Sequence, residues 1–425
     1  MTRIFELKQE EEILNSYKKF GLKSNPFPIG GAPSKDHPYV EISPKLTKEI
    51  VAFVDSVTAT KKWQGLTIIG DNGTGKTRLL FSLDNDINGQ LKFANAIYVN
   101  DPPADPVKFF QKIVSSCDFD RLTQDIVNAE KSTFINLFDK NLMKKTTLSG
   151  TKIANILDKK KLVTDFANYI KDNLSSDINI VKAYSVLIIH HIISNLLKEK
   201  GLEISPDDFL VSEIYEIKRF LAGERIPGPE LANLGIKSVR IDTNYMEKKV
   251  FPAFLQYNKL AGKKVVYALV DEFQFVMDNV SKARIATLLD MIIAVAQSNP
   301  NGFCMVLSCL PDSWNYATRI SNSFLERFNN QLNMPNLSKE AAIKLTKEYL
   351  NYGRIEKSDE ISPFDRDAIY KCLTVSQYNV RNFLQLMGTI LNLFVESKGE
   401  IIDIAFVRDT LKQIKSEIGL ELWTS

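Results

Sequence analysis

The chain has 425 residues, 54 basic and 51 acidic, for a formal charge of +3, and an apolar share of 44%. That length exceeds one ordinary core and calls for two or three domains, and so small a net charge excludes a uniformly basic nucleic-acid binder, leaving only local patches. Four cysteines without a CxxC pair, and only three histidines, argue against a zinc centre or a disulfide framework.

The opening Met1-Thr2-Arg3-Ile4-Phe5-Glu6 lacks an apolar signal core. The longest apolar stretch, 184–197, is shorter than a membrane span and carries His190 and His191. A cytoplasmic, reducing compartment with no membrane partner is expected. The two histidines read as helix-core or edge residues, since no Cys, Asp or Glu stands at ligand spacing from them.

Residues 66–69 read as a buried strand, and a helix is expected from Thr77. Between them lies Gly70-Asp71-Asn72-Gly73-Thr74-Gly75-Lys76-Thr77, which fits G-x-x-x-x-G-K-[ST]. Glycines let backbone N–H groups turn inward around phosphate oxygens at a helix N-terminus. Lys76 would reach the outer phosphates and the Thr77 hydroxyl would ligate Mg²⁺. The loop, with Arg78 after it, is the expected nucleotide-binding segment.

A second strand is expected at 96–100 and a helix at 106–114, beginning a βαβ alternation. The next core strand, 264–270, closes on Asp271-Glu272. Adjacent carboxylates at such a strand end face the ligand crevice of an α/β sheet. Asp271 would hold Mg²⁺ through water, and Glu272 would orient and deprotonate the attacking water.

A helix is expected over 281–298 and a fourth strand over 303–307, ending in Ser308. That serine reads either as a contact to the γ-phosphate and attacking water or as an ordinary strand end. Leu325-Glu326-Arg327-Phe328 precedes a short fifth strand near 331–334. Helices fill 337–425, with Ser338 and Ser362-Pro363 as expected N-caps.

Phosphate loop, Asp271-Glu272, the polar strand end, Glu326-Arg327-Phe328 and the helical C-terminal part together resemble the AAA+ ATPases, in the branch of origin-recognition initiators and transposition-type ATPases. The segment 20–27 followed by 42–50 is similar to the opening of that branch, where it lines the adenine pocket. The resemblance implies an α/β P-loop NTPase: a parallel five-stranded sheet flanked by helices, a helical insertion and a C-terminal helical lid. It also implies ATP and Mg²⁺ as cofactors, ATP hydrolysis and self-association. Arg327 matches the arginine finger that acts on a neighbouring subunit's site, with Arg319 as a rival. Arg381, in Gln377-Tyr378-Asn379-Val380-Arg381-Asn382, resembles the second sensor, although Val380 stands where proline is usual.

The expected divisions are 1–60, 61–110 for the first half of the core, 111–262 for the insertion, 263–336 for the second half and 337–425 for the lid. Little sequence follows the last expected helix before Trp423-Thr424-Ser425, so no winged helix of the kind initiators append is expected. Within the insertion, 217–225 with 234–236 is similar to a segment of ATPase subunits of BREX-type phage-defence systems. Gly223, Pro227 and Gly228 read equally well as loop punctuation. Residues 131–161 hold eight lysines against two aspartates. They read as a solvated face or as a grip on DNA phosphates.

Two functions of different class remain at this point. One is an ATPase that remodels or loads a protein partner, on DNA; the other is an ATP-binding switch or scaffold with negligible turnover. A small-molecule kinase fits less well, because the carboxylate pair suits hydrolysis.

Overall fold

The structure, a computed structural model, describes residues 16–28, 37–142, 158–199, 211–224, 231–237, 239–278, 280–397 and 399–418. Residues 1–6, Lys144, Lys145, Lys152, Arg225, Pro227, Gly228 and 423–425, all used above, lie outside them. In chain order the elements are α1 (Pro44–Thr60), β1 (Gln64–Ile69), α2 (Lys76–Gln90), β2 (Ala94–Val99), α3 (Pro106–Ser115), α4 (Phe119–Ala129) and α5 (Lys131–Leu142). Then come α6 (Lys159–Leu174), α7 (Ile178–Glu199), α8 (Val211–Leu221), α9 (Phe251–Leu260), β3 (Val265–Val270), α10 (Lys282–Ser298) and β4 (Phe303–Cys309). The chain continues with α11 (Pro311–Ile320), α12 (Asn322–Arg327), β5 (Asn330–Asn333), α13 (Lys339–Gly353), α14 (Arg366–Val375), α15 (Val380–Glu396) and α16 (Ile404–Ile418).

The five strands form one sheet in the order β2-β3-β4-β1-β5. β2, β3 and β4 pair in parallel, with Tyr98 beside Leu269 and Leu269 beside Val306. β3 (VVYALV) and β4 (FCMVLSC) are buried along their whole length, as continuous apolar runs covered by helices on both faces must be. This is the α/β fold class read from the sequence. β4 runs through Ser308 to Cys309, so that serine lies inside the strand and not beyond it.

The chain divides into two compact units, one of Met1–Ala52, Ile69–Ser82 and Leu332–Ser425, the other of Phe53–Ile68 and Leu83–Gln331. The second unit holds most of the sheet and the helices between β2 and β3. Those helices have their own aromatic core: Tyr184 of α7 stacks on Tyr257 of α9 at 4.2 Å, and Phe134 of α5 stacks on Phe166 of α6 at 5.8 Å. Such pairs add about 1 kcal/mol each beyond the area they bury. The Tyr257 and Thr123 hydroxyls share a buried hydrogen bond of 2.7 Å. Asn95 of β2 donates to Asn258 of α9 at 2.8 Å, tying these helices to the sheet edge. His190 is half-buried, and burial pushes its imidazole below the ordinary range.

The first unit has its core where the N-terminal segment meets the C-terminal helices, with Leu22, Phe27 and Val40 buried among Leu345, Tyr349, Phe383 and Leu391. Phe27 stacks on Tyr349 at 5.8 Å. One expectation fails here, because Ser362-Pro363 does not begin a helix. Phe364 is buried and bridges to Ile402, which keeps the chain extended past the proline. The N-cap of α14 is Asp365, whose carboxylate accepts from the Ala368 N–H at 2.6 Å. Among the described residues no helix is long and apolar enough to cross a membrane.

Candidate functional site

The phosphate loop belongs to the first unit and leads straight into α2. Gly73 and Gly75 take φ of +80° and +100°, conformations that cost an L side chain about 1 kcal/mol, which is why the motif needs glycine there. Thr74 is buried, and its hydroxyl donates to the Asp71 carbonyl at 2.8 Å, closing the turn. Lys76 is also buried, with Nζ donating to the carbonyls of Gly70 at 2.7 Å and Asp71 at 3.0 Å. Those contacts hold the ammonium over its own loop. Asp71 and Asn72 are exposed, while Gly70 is enclosed: a Cβ there would stand 2.7 Å from Met334 Cβ. Thr77 lies in the first turn of α2, where backbone N–H groups have no intrahelical partner and favour an anion. Arg78 is turned to the His37 carbonyl, so in this arrangement it serves the N-terminal segment.

The start of α15 lies directly on this loop. Asn379 is the N-cap of α15, its Oδ1 accepting from the Asn382 N–H, and its Nδ2 donates to the Asn72 carbonyl at 2.7 Å. The Arg381 N–H donates to the Gly73 carbonyl at 3.0 Å, and a Cβ on Gly73 would stand 2.7 Å from Arg381 Cβ. Arg381 therefore meets the loop through its backbone, and its guanidinium side is exposed. Asn379 is a site residue that the second-sensor resemblance, which rests on an arginine, does not single out. Its signal was an Asn immediately before an apolar-periodic helix, the pattern of an N-cap.

The second unit carries the carboxylates. Asp271 is 1% exposed at the end of β3 and is fully engaged. Its Oδ1 accepts from the Ser308 hydroxyl and from the Glu272 N–H at 3.0 Å, and its Oδ2 accepts from the Tyr98 hydroxyl at 2.8 Å. Tyr98 was missed because a tyrosine in a buried strand reads as core. Burial, then the Asp271 charge beside it, pushes its phenol far above the ordinary range, so it stays a neutral donor. Ser308 also accepts from the Glu272 N–H at 3.2 Å. A hydroxyl has one proton, and here it is committed to Asp271, leaving none for a phosphate.

Glu272 sits at φ +52°, ψ +42°, in the left-handed region, where a glutamate is strained by about 1 kcal/mol. The bend turns the chain out of the strand and into the short 3₁₀ turn Phe273–Val276.

Arg327 is the last residue of α12 and is exposed. Its placement follows from Gly65 of β1, where a Cβ would stand 2.6 Å from both the Arg327 carbonyl oxygen and Phe328 Cδ1. Buried Phe328 anchors the turn in a cluster with Phe324 and Trp63. Among the described residues Arg327 makes no ion pair, and Glu326 accepts from Asn322 instead at 3.2 Å. Arg319 is exposed as well, on α11.

No protein-family model matches the chain, and no curated protein is similar to it in sequence. Among solved structures it is similar to the Aeropyrum pernix ORC2 protein in its ADPNP–ADP complexes, at 10% identity and TM-score 0.40, over 89% of this chain and 71% of that one. It is also similar to domain III of the Thermotoga maritima replication initiation protein DnaA, at 12% identity and TM-score 0.37, over 88% and 94%. A third is Drosophila ORC bound to DNA, at 10% identity and TM-score 0.38, over 97% and 69%. Likeness at this level carries nothing about ligand or partner.

Proposed function

We propose that the chain is a P-loop ATPase of the AAA+ class that uses ATP binding and hydrolysis to remodel or load a protein partner, on DNA. The observation that carries this reading is the phosphate loop with the N-terminus of α15 resting on it through Asn379 and Arg381. A helix start placed there gives the chain a way to register whether the loop is filled.

In this reading 70–77 wraps the phosphates, Lys76 leaves its loop carbonyls for the outer phosphates, and Arg381 contacts the nucleotide. The donor set suits Mg²⁺, a hard cation that keeps several waters and takes few protein ligands. Thr77 and Asp271 would hold it, and when bound it supplies charge neutralisation at the phosphates. Glu272 takes the proton of the attacking water, and Tyr98 and Ser308 hold Asp271 in one orientation. Arg327, exposed and among the described residues without an ion pair, serves the site of a second copy, which makes the working form a homo-oligomer.

One observation favours a second reading, an ATP-dependent switch with negligible turnover. The proton of Ser308 points at Asp271, so β4 offers no donor to a γ-phosphate. Steady-state phosphate release with and without DNA separates the two. The ATPase reading expects multiple turnovers, and Glu272→Gln should keep ATP binding while losing turnover by about 100-fold or more. A single slow turnover in the parent would replace it with the switch, and unchanged hydrolysis in Glu272→Gln would remove Glu272 as the base.

A further inference from the structure

Two stretches that sequence reading treats separately, the lysine-rich 131–161 and Leu234-Gly235-Ile236, meet in the second unit. Gly235 takes φ +69°, and its carbonyl accepts from Lys182 Nζ of α7 at 2.9 Å. A Cβ at Gly235 would stand 3.0 Å from Lys182 Nζ and 3.3 Å from Lys160 Cε of α6. The missing side chain thus lets two lysines lie across one stretch of backbone. Lys237 follows two residues later, its N–H fixed by Asn179 Oδ1 at 3.0 Å.

Among the described residues no acid is paired with these three cations. Lys159 next door pairs with Glu213 at 2.8 Å, but among the described residues Lys160, Lys182 and Lys237 make no ion pair. Three acids near them in sequence are held by other groups, Asp242 by the Tyr245 N–H. Asp158 caps α6 through the Lys161 N–H, and Asp177 accepts from the Asn179 N–H and the Tyr245 hydroxyl. Burial, then the charges of Lys160 and Lys237, pulls the Lys182 ammonium below its ordinary range. Like charges gathered without a counter-charge destabilise a fold, and an anionic ligand would reverse that cost.

We propose that Lys160, Lys182 and Lys237 form a site for the phosphate backbone of duplex DNA. Lys160 and Lys237 are exposed, as is Lys161 beside Lys160 on α6, so the site opens to solvent where a phosphate backbone can reach it. None of its members is aromatic, so it grips charge and does not stack on bases. The inference rests on the reading that the chain works on DNA.

The test is fluorescence anisotropy of the full chain with a labelled short duplex across a salt series. The parent is compared with Lys160→Glu/Lys237→Glu and with Lys171→Glu/Lys259→Glu, which makes the same charge change at exposed lysines elsewhere. The first pair should weaken binding by at least about tenfold and lower the slope of log affinity against log salt by about 2, while the control pair stays near the parent. If charge reversal unfolds the chain, Lys160→Gln/Lys237→Gln carries the same expectation. A parent that binds DNA equally well with and without these lysines overturns the site and leaves the DNA reading standing. A parent that binds no duplex at low salt overturns both. Tripolyphosphate that binds the ATP-analogue-saturated parent as tightly as duplex, and loses that binding in Lys160→Glu/Lys237→Glu, would overturn the assignment to DNA in favour of a free polyphosphate.

Discussion

The Tyr98 hydroxyl donates to Asp271 Oδ2 at 2.8 Å from the strand that lies beside β3 in parallel register. Both oxygens of Asp271 are thereby oriented by neighbours, Oδ1 by Ser308 and Oδ2 by Tyr98. Tyr98→Phe removes one donor and keeps the ring. It should raise the Mg²⁺ concentration for half-maximal ATPase activity by about 10-fold, as loss of an outer-shell partner does. The stability cost should stay within about 1–2 kcal/mol. A Mg²⁺ titration of both proteins checks it, and an unmoved midpoint would leave Tyr98 a packing residue.

Asn379 does two separable jobs. Asn379→Ser keeps an N-cap for α15 and loses the amide that reaches Asn72, so the melting temperature should hold while ATP-analogue affinity changes several-fold. Asn379→Ala should lose the cap as well, at about 1 kcal/mol. Calorimetric titration beside thermal unfolding reads both effects, and equal affinities in Ser and parent would mean that the loop contact is incidental.

Arg327 gives a test that needs two chains. Arg327→Ala alone and Lys76→Ala alone should each be inactive, and mixtures should regain part of the activity, because a mixed pair retains one intact site. Activity that stays at the single-mutant level at every mixing ratio would argue that Arg327 acts in its own chain or not at all.

Among the described residues seven buried or half-buried tyrosines, Tyr17, Tyr98, Tyr184, Tyr245, Tyr257, Tyr267 and Tyr349, have phenols raised above the ordinary 10.0, mainly by burial. The folded chain keeps these protons while the unfolded chain releases them near pH 10. Above that pH the unfolded state binds fewer protons, so stability is intact below about pH 10 and falls as pH rises further. Urea midpoints between neutral pH and about pH 11 should drop together with the appearance of phenolate absorbance. A flat midpoint would contradict the burial of these rings.

Much of this was legible in the sequence because it depends on local pattern. β3 announces itself as six apolar residues ending in two carboxylates, and the phosphate loop requires glycine where φ is positive. What escaped depends on partners distant in sequence. Nothing around Tyr98 says that a carboxylate 173 residues on will accept its proton. Asn379 was visible as a cap but not as a contact to Asn72, which lies 307 residues away. Ser308 looked free until the register of β3 and β4 placed it against Asp271. Ser362-Pro363 misled because Pro at a helix start is a local preference, whereas the burial of Phe364 is a tertiary one. Gly223 ends α8 with φ +85° and a Gly223 N–H bond to the Phe220 carbonyl, which accounts for its place without any partner.

Glu272 occupies a backbone conformation that glycine would adopt without strain. Replacing it with glycine should therefore relax the turn after β3 by up to about 1 kcal/mol while deleting the carboxylate proposed as the base. A screen for thermal tolerance and a screen for turnover would then select opposite residues at this one position, and a heat-hardened variant found blindly would risk being a dead one.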